Sequence, residues 1–118
     1  MKYKVFVSQP MNGRTAEEIL SARKNAIASA THFVEETMAD AFDDVEVEIL
    51  DSYFEPESGV VQNPLYCLGK SLCLMSQADL VYFTPDYKTA RGCRIEFDCA
   101  VEYGLNVVVD YKKWQERF

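Results

Sequence analysis

The 118-residue sequence has few of the residues that build metal sites and histidine-based catalytic triads. His32 is its only histidine, and it lies mid-helix in "SATHFVEE". Since a triad or metal cluster needs partners that are missing, we interpret His32 as a solvated or capped residue. The four cysteines form two C-x5-C pairs, which lack the C-x2-C spacing of zinc sites and redox pairs. We therefore expect no metal site and interpret the cysteines as small apolar residues within helices.

Long apolar runs and an excess of basic charge are also missing. No segment approaches the length of a membrane span, and "MKYKVFVSQP" lacks the apolar segment of a signal peptide. We therefore expect a cytoplasmic protein with no membrane partner. The 12 basic and 19 acidic side chains give a net charge of −7. That charge repels a phosphate polymer and argues against a nucleic-acid partner, but it permits one small phosphorylated ligand held by local arginines.

The two common phosphate-binding loops are absent as well. "SQPMNG" lacks the Lys-Ser/Thr ending of a Walker loop, and the chain contains no G-x-G-x-x-G. ATP and dinucleotide chemistry of those kinds is therefore disfavoured, and we expect no cofactor.

What the sequence does contain is an alternation of strands and helices. An apolar fraction of 48% indicates one compact domain over residues 1–118. The predicted strands are "KYKVFVS", "DDVEVEIL", "ADLVYFT" and "NVVVD". With helices between them, they predict an α/β three-layer sandwich with a mostly parallel sheet of four or five strands. We expect a flavodoxin-like strand order of 2-1-3-4, with the strand of Val5 and Val7 in the centre.

Three helices connect these strands. The first begins with a capping box of Thr15 and Glu18 and reaches about Met38. The second begins at Asn63-Pro64, a capping residue followed by a proline at the first helical position. The predicted inward stripes are Ile19, Ala26, Ala30 and Phe33 on the first helix, and Leu65, Leu68, Leu72 and Met75 on the second.

The third helix, in "TARGCRIEFDCAVEYG", places a carboxylate toward its apolar side. Glu96 lies three residues after Cys93 and four before Ala100, so it falls at the edge of the inward side. If the helix opens around Gly92, its dipole and free amides help to keep Glu96 ionised. Because an unpaired buried carboxylate is costly, Glu96 either serves a function or forms an ion pair. The possible partners are Arg14, Arg91 and Arg94.

Parallel α/β sheets bind ligands at the carboxyl ends of their strands. This rule places segments 8–14, 51–62 and 84–92 at the ligand edge and Asp79 at the opposite edge. Arg14 and Arg91, near loop glycines, predict an anion site, although solvent-facing surface charge is the alternative. The candidate ligand-contacting residues are Ser8, Gln9, Met11, Gly13, Arg14, Tyr53, Arg91 and Gly92.

Three stretches resemble the nucleoside 2-deoxyribosyltransferase superfamily and are most similar to its small phage and prophage members. They are "KVFVSQPMNG", "NPLYCLGKSLCLMSQADLVYF" and "ARGCRIEFDCAVEYGLNVVV". The superfamily also includes deoxynucleoside 5′-monophosphate N-glycosidases. Its G-x-x-x-E element, here Gly92 and Glu96, carries the family's nucleophile. The resemblance implies that Glu96 stabilises an oxocarbenium-like sugar or bonds to its C1′.

Two positions depart from the family pattern. Ser71 stands where family enzymes carry an aspartate, and Ala90 stands where they carry a Ser or Asp that contacts the sugar or phosphate. Because Ser71 cannot readily protonate a departing base, Asp51 and Asp86 are the candidate acids. The resemblance implies a homo-oligomer that cleaves or transfers the glycosidic bond of a nucleoside or its 5′-monophosphate. The alternatives are a weakly active or inactive nucleotide-binding module, with Glu96 holding a ribose hydroxyl, and a scaffold that serves oligomerisation only.

Overall fold

The computed structural model describes residues 2–10, 14–38, 46–50 and 64–109. Within these ranges the strands form one all-parallel sheet in the order β2-β1-β3-β4, so the predicted fold class and strand order are confirmed. A short 3-10 turn at Tyr87–Thr89 precedes the last helix. The elements are β1 (Lys2–Ser8), α1 (Ala16–Met38), β2 (Glu46–Leu50), α2 (Pro64–Met75), β3 (Leu80–Phe83), α3 (Arg91–Glu102) and β4 (Val107–Val109).

The central strands are apolar on both faces, and this explains why helices cover both faces of the sheet. Successive strand residues point to opposite faces, so a strand without a polar face needs helices on both sides. On one face, α1 packs on the sheet through a cluster of Val5, Val7, Ala26, Ala30, Val34, Leu80 and Tyr82. On the other, α2 and α3 pack through a cluster that includes Phe6, Met75, Val81, Phe83, Cys93 and Ala100.

The first helix begins as its sequence predicts. The Glu18 backbone N donates to Thr15 Oγ1 at 3.1 Å, and the Thr15 backbone N donates to Glu18 Oε1 at 3.3 Å. This reciprocal pair satisfies two amides that the helix leaves free. His32, further along α1, is exposed and lies 2.9 Å from Glu36 as a surface pair, as predicted. Although α1 spans 23 residues, neither it nor another described helix is long and apolar enough to cross a membrane.

The predicted inward stripe of α2 is wrong at its first turn. Met75 is 3% exposed, whereas Leu65 is 75% exposed. Leu72 packs against the buried cluster on the face of the sheet that α2 and α3 cover, but Leu65 is not among the described residues of that cluster. A helical repeat identifies one face of a helix, but that face is buried only where the helix lies over the sheet. Cys73 is likewise exposed, contrary to the interpretation of all four cysteines as buried fillers.

Candidate functional site

The carboxyl ends of β1 and β3 lie side by side at the middle of one sheet edge. Ser8 pairs with Phe83 in the register, and the Thr84 backbone N donates to the Ser8 carbonyl at 3.2 Å. The chain leaves β1 toward α1 on one face and leaves β3 toward α3 on the other. Such a point, where the direction of winding reverses, is where open α/β sheets bind their ligands. Asp79 lies at the opposite edge, where one of its carboxylate oxygens accepts from the Lys4 amide at 2.9 Å.

Glu96 is buried beside this edge. Its exposure is 9%, which confirms the inward position predicted from its spacing. The helix begins at Arg91, with Ala90 as N-cap, so Glu96 is the sixth residue of α3 and lies in its second turn. The helix thus begins one residue before the predicted Gly92, and Glu96 lies in the second turn, not in the predicted first turn.

Burial in the second turn of α3 determines the electrostatics of Glu96. Burial raises the pKa of Glu96 from its ordinary 4.5 to about 7, while the Ser8 hydroxyl acts in the opposite direction. The expectation that the helix start keeps Glu96 ionised is wrong, because the dipole effect is confined to the first turn and desolvation dominates further in. Near neutral pH the carboxyl is available in both its ionised and its protonated form.

The arginines considered as partners of Glu96 have other surroundings. Arg14 Nη2 donates to Asp86 Oδ2 at 2.6 Å, and Arg94 Nη1 donates to the Lys88 carbonyl at 2.6 Å. Arg91 is exposed at the start of α3. Within the described ranges no ion pair compensates Glu96, so a structural salt bridge does not explain its burial.

Three buried polar atoms in the described part of the chain lack a hydrogen-bond partner, and all three belong to this edge. They are Ser8 Oγ, Gln9 Oε1 and Glu96 Oε2. Ser8 is close enough to lower the pKa of both Glu96 and Cys93, yet its hydroxyl makes no bond of good geometry with either. We therefore treat these side chains as adjacent and not as bonded. Since buried polar atoms are nearly always paired, three unpaired ones together are typical of a ligand site.

Asp86 connects the loop after β3 with the segment before α1. Arg14 donates to one of its oxygens, and Thr84 Oγ1 donates to the other at 2.8 Å. Partial burial acts to raise the pKa of Asp86, but these hydrogen bonds and the charge of Arg14 lower it below 3.8. Asp86 therefore stays ionised at neutral pH, which fits a positioning role better than that of a general acid. The same pair compensates the charge of Arg14, one of the two arginines predicted to bind an anion.

An aromatic cluster fixes α3 against the loop that carries Asp86. The ring of Tyr87 stacks on that of Phe97, with centroids 5.0 Å apart. Phe83 contacts both rings, at 5.3 Å from Tyr87 and 5.2 Å from Phe97. Because Phe97 follows Glu96 directly, this packing restrains the part of the helix that holds the carboxyl.

The neighbouring thiol does not supply a nucleophile. Burial is the largest effect and raises the pKa of Cys93 to about 11. The Ser8 hydroxyl acts to lower this pKa, the charges of Glu96 and Asp86 act to raise it, and the charge of Arg14 acts to lower it. A thiol reacts as its thiolate, which is scarce at neutral pH when the pKa is this high. The described His, Cys, Asp and Glu side chains form no group of three suited to a metal ion.

The structure thus sorts the predicted site residues. Those that each bring one buried atom without a described partner are Ser8, Gln9 and Glu96. Next to them lies the ion pair of Arg14 and Asp86. Those at the start of α3 are Ala90, Arg91 and Gly92, where the Ala90 side chain makes no capping bond. Ser71 is half-buried in α2. Met11, Gly13, Asp51 and Tyr53 lie outside the described residues.

Arg23 is a polar residue near this edge that our sequence predictions missed. Its side chain is buried in α1, and its Nη2 lies 3.4 Å from the Leu50 carbonyl at the end of β2. The signal was present, because Arg23 lies four residues after Ile19 and three before Ala26, on the inward stripe of α1. An arginine on such a stripe has a buried stem and carries its charge to the strand ends.

Comparison of the chain with models of known families, with curated proteins and with solved structures finds no match. The resemblance therefore depends on the three quoted stretches, and the function has to be argued from the site.

Proposed function

We propose that this protein cleaves or transfers the N-glycosidic bond of a nucleoside or nucleoside 5′-monophosphate, with Glu96 as the reacting carboxylate. The observation that carries the proposal is a buried carboxyl at the winding reversal of the sheet, one of whose oxygens, Oε2, has no hydrogen-bond partner among the described residues. A group of this kind destabilises the fold, so its presence calls for a chemical role. The resemblance supplies the reaction, since the family's nucleophile occupies the corresponding position. We also propose a cytoplasmic setting, because the sequence has no apolar run that approaches a membrane span.

In the proposed reaction the ionised Glu96 attacks C1′ of the sugar as the bond from C1′ to the base nitrogen breaks. The electrons of that bond leave with the base, and the carboxylate stabilises the positive charge that develops on the sugar. Water, or a second base in a transfer reaction, then attacks C1′ and displaces the Glu96 oxygen. The departing nitrogen takes up one proton and the incoming water loses one, so hydrolysis yields the free base and the free sugar. The buried edge favours this step because it limits access of bulk water to the carboxylate.

The source of the proton for the departing base is the second requirement. Asp86 is held ionised by Arg14 and Thr84, and the hydroxyl of Ser71 is too weak an acid. Asp51, which lies outside the described residues, is the acid that we propose. Asp86 and Arg14 are assigned to positioning, because they join the loops on either side of the site.

A non-catalytic binding module is the second candidate, and a specific observation favours it. Asp86, the candidate acid within the described residues, is held ionised and so does not protonate a departing base. In the binding module Glu96 holds a sugar hydroxyl, either accepting a hydrogen bond when ionised or donating one when protonated.

A panel experiment separates these candidates. The full chain is incubated with nucleosides and their 5′-monophosphates, and chromatography detects released base while calorimetry measures binding. Released base supports the enzyme. Binding without release supports the module, and neither result for any ligand in the panel overturns both. Comparing each nucleoside with its monophosphate also tests the predicted anion site at Arg14 and Arg91, because Arg91→Ala should lower only the affinity for the monophosphate.

A further inference from the structure

We infer that Gln9 determines ligand specificity at this site, through its Oε1 accepting a hydrogen bond from an O–H or N–H group of the ligand. The inference rests on the proposed function, because it names the group on a nucleoside that the site selects. Gln9 follows β1 directly and is 4% exposed.

The orientation of the Gln9 amide is fixed by its own hydrogen bond. Its Nε2 donates to the Ile19 carbonyl in the first turn of α1 at 3.0 Å. Turning the amide over would set its oxygen against that carbonyl and leave two acceptors facing each other. The other end of the amide is therefore an acceptor and cannot serve as a donor.

A purely structural role explains the hydrogen bond of the Gln9 Nε2 but not the burial of its Oε1. The Nε2 bond ties the end of β1 to α1, but Oε1 is shielded from water and has no partner in the described structure. A glutamine whose only task is to join two segments has its second polar group paired or solvated. Gln9 shares this property with Ser8 and Glu96, the residues that define the site.

Because successive residues of an extended chain point to opposite faces, Ser8 and Gln9 lie on different sides of the site, and Glu96 is on the side of Ser8. Ser8 lies on the side of α3, where it affects Glu96 and Cys93, whereas Gln9 lies on the side of α1, where it holds Ile19. A ligand beyond the end of β1 is therefore contacted from two sides. Glu96 faces the reacting atom, and Gln9 reads a second group of the same ligand.

An acceptor shielded from water discriminates strongly, because a ligand without a donor leaves it unpaired. In adenosine, the nucleoside chosen for the test, the donor is either the 6-amino group of the base or a hydroxyl of the sugar. Two kinds of ligand pair distinguish these sources. One kind is adenosine and the purine nucleoside without the 6-amino group, and the other is adenosine and a counterpart that lacks the 2′-, 3′- or 5′-hydroxyl.

The test measures dissociation constants for all these pairs with the full chain and with Gln9→Met, which keeps the length and apolar stem but removes the acceptor. If the chain turns the ligands over, the ratio of kcat/KM values replaces the ratio of dissociation constants. We expect the parent to prefer the donor-bearing member of one pair by roughly tenfold or more, and Gln9→Met to reduce that ratio to about one. An equal loss of affinity for every ligand indicates a structural role alone and overturns the inference, as does an unchanged ratio.

The ligand pairs keep the inference testable even if Gln9→Met does not fold. Equal affinity of the parent for adenosine and for its counterparts that lack the 6-amino group or the 2′-, 3′- or 5′-hydroxyl is sufficient to overturn it. The outcomes also separate the inference from the proposed reaction. Released base without any donor preference leaves the reaction standing and removes the role of Gln9. A donor preference that depends on Gln9, without released base, leaves the role of Gln9 standing and removes the reaction.

Discussion

At the scale of single residues, the stability cost of Glu96 depends on pH. Its pKa rises from 4.5 in the unfolded chain to about 7 in the folded one, so the folded state binds more protons between these values. The contribution of Glu96 to stability is therefore greatest below about pH 4.5, falls as the pH rises toward 7, and changes no further above it. The full difference corresponds to about 3 kcal/mol.

Replacing this carboxyl by an amide should remove that part of the pH dependence. In urea unfolding at pH 5 and pH 8, which cover most of the interval between the two pKa values, we expect the parent to lose about 2.5 kcal/mol more than Glu96→Gln. The matched control is Asp98→Asn, an exposed carboxylate on the same helix, which should keep the loss seen in the parent. Equal pH dependence in the parent and Glu96→Gln would show that burial does not raise the pKa of Glu96.

The ion pair of Arg14 and Asp86 should change stability with pH in the direction opposite to Glu96. Because the folded-state pKa of Asp86 is lowered, its contribution is present above about 3.8 and is lost as the pH falls through the folded value. Both side chains are partly exposed, so at pH 7 Asp86→Asn should cost about 1 kcal/mol or less, and less still at high salt. Glu36→Gln, which breaks the exposed pair with His32, should cost less than Asp86→Asn. Urea unfolding in which the two variants behave alike would argue against a positioning role for Asp86.

The sequence was sufficient to predict which way a helical side chain points, because that depends on residue spacing. It was not sufficient to predict the pKa or the ion-pair partner of a side chain, because those depend on its surroundings in the fold. Counting along the helix from Cys93 and Ala100 was enough to place Glu96 inward. The direction of its pKa shift was not accessible, because it depends on where the helix begins and on which groups cover the carboxyl. The ion pair of Arg14 with Asp86 could not be predicted from the sequence either, since Asp86 lies 72 positions away in the chain.

At the scale of elements, the start of α1 supports the site indirectly. The capping box of Thr15 and Glu18 fixes the first turn, and the carbonyl of Ile19 in that turn orients Gln9. The sequence shows such a cap directly, because all the groups involved lie within four residues. The sequence could not predict which residues of α2 are buried. Leu65 and Met75 belong to the same predicted stripe of the helix, yet Leu65 is exposed and Met75 is buried, because of the two only Met75 packs in the described core cluster.

Removing the cap should destabilise the protein by about 1 kcal/mol. We expect this loss for Thr15→Ala in urea unfolding, because the Glu18 amide then lacks its acceptor. Thr15→Ser keeps the hydroxyl and should retain most of the stability. Since the two side chains act together, adding Glu18→Ala to Thr15→Ala should cost less than Glu18→Ala costs alone. Additive losses would mean that the reciprocal pair does not form in solution.

At the scale of the whole molecule, the strand order was predictable because it follows from short, right-handed connections between parallel strands. The oligomeric state does not follow from such rules. The aromatic segments "DSYFEP" and "YKKWQERF" are difficult for a small monomer to cover and so favour an interface, but they lie outside the described residues. The described surface nevertheless exposes large apolar side chains on α2, among them Leu65 and Tyr66. We propose that association of copies covers part of this apolar surface.

This proposal predicts a mass of at least twice 13.5 kDa by light scattering at micromolar concentration. Leu65→Lys should lower the measured mass if α2 forms the contact, because a charge at an apolar interface is costly to bury. Leu20→Lys is the matched control, since Leu20 is also exposed but lies on α1. A parent mass near 13.5 kDa would reject the oligomer.

The central claim, that Glu96 carries the reaction, is tested most directly by the rate of base release from a nucleoside substrate. The parent, Glu96→Gln and Asp98→Asn are compared at pH 7, with circular dichroism confirming that all three are folded. We predict that Glu96→Gln lowers the rate by roughly a thousandfold or more, because it removes the group that bonds to or stabilises C1′ in the transition state. Asp98→Asn should release base at the parental rate. Release by Glu96→Gln as fast as by the parent would contradict the assignment of Glu96.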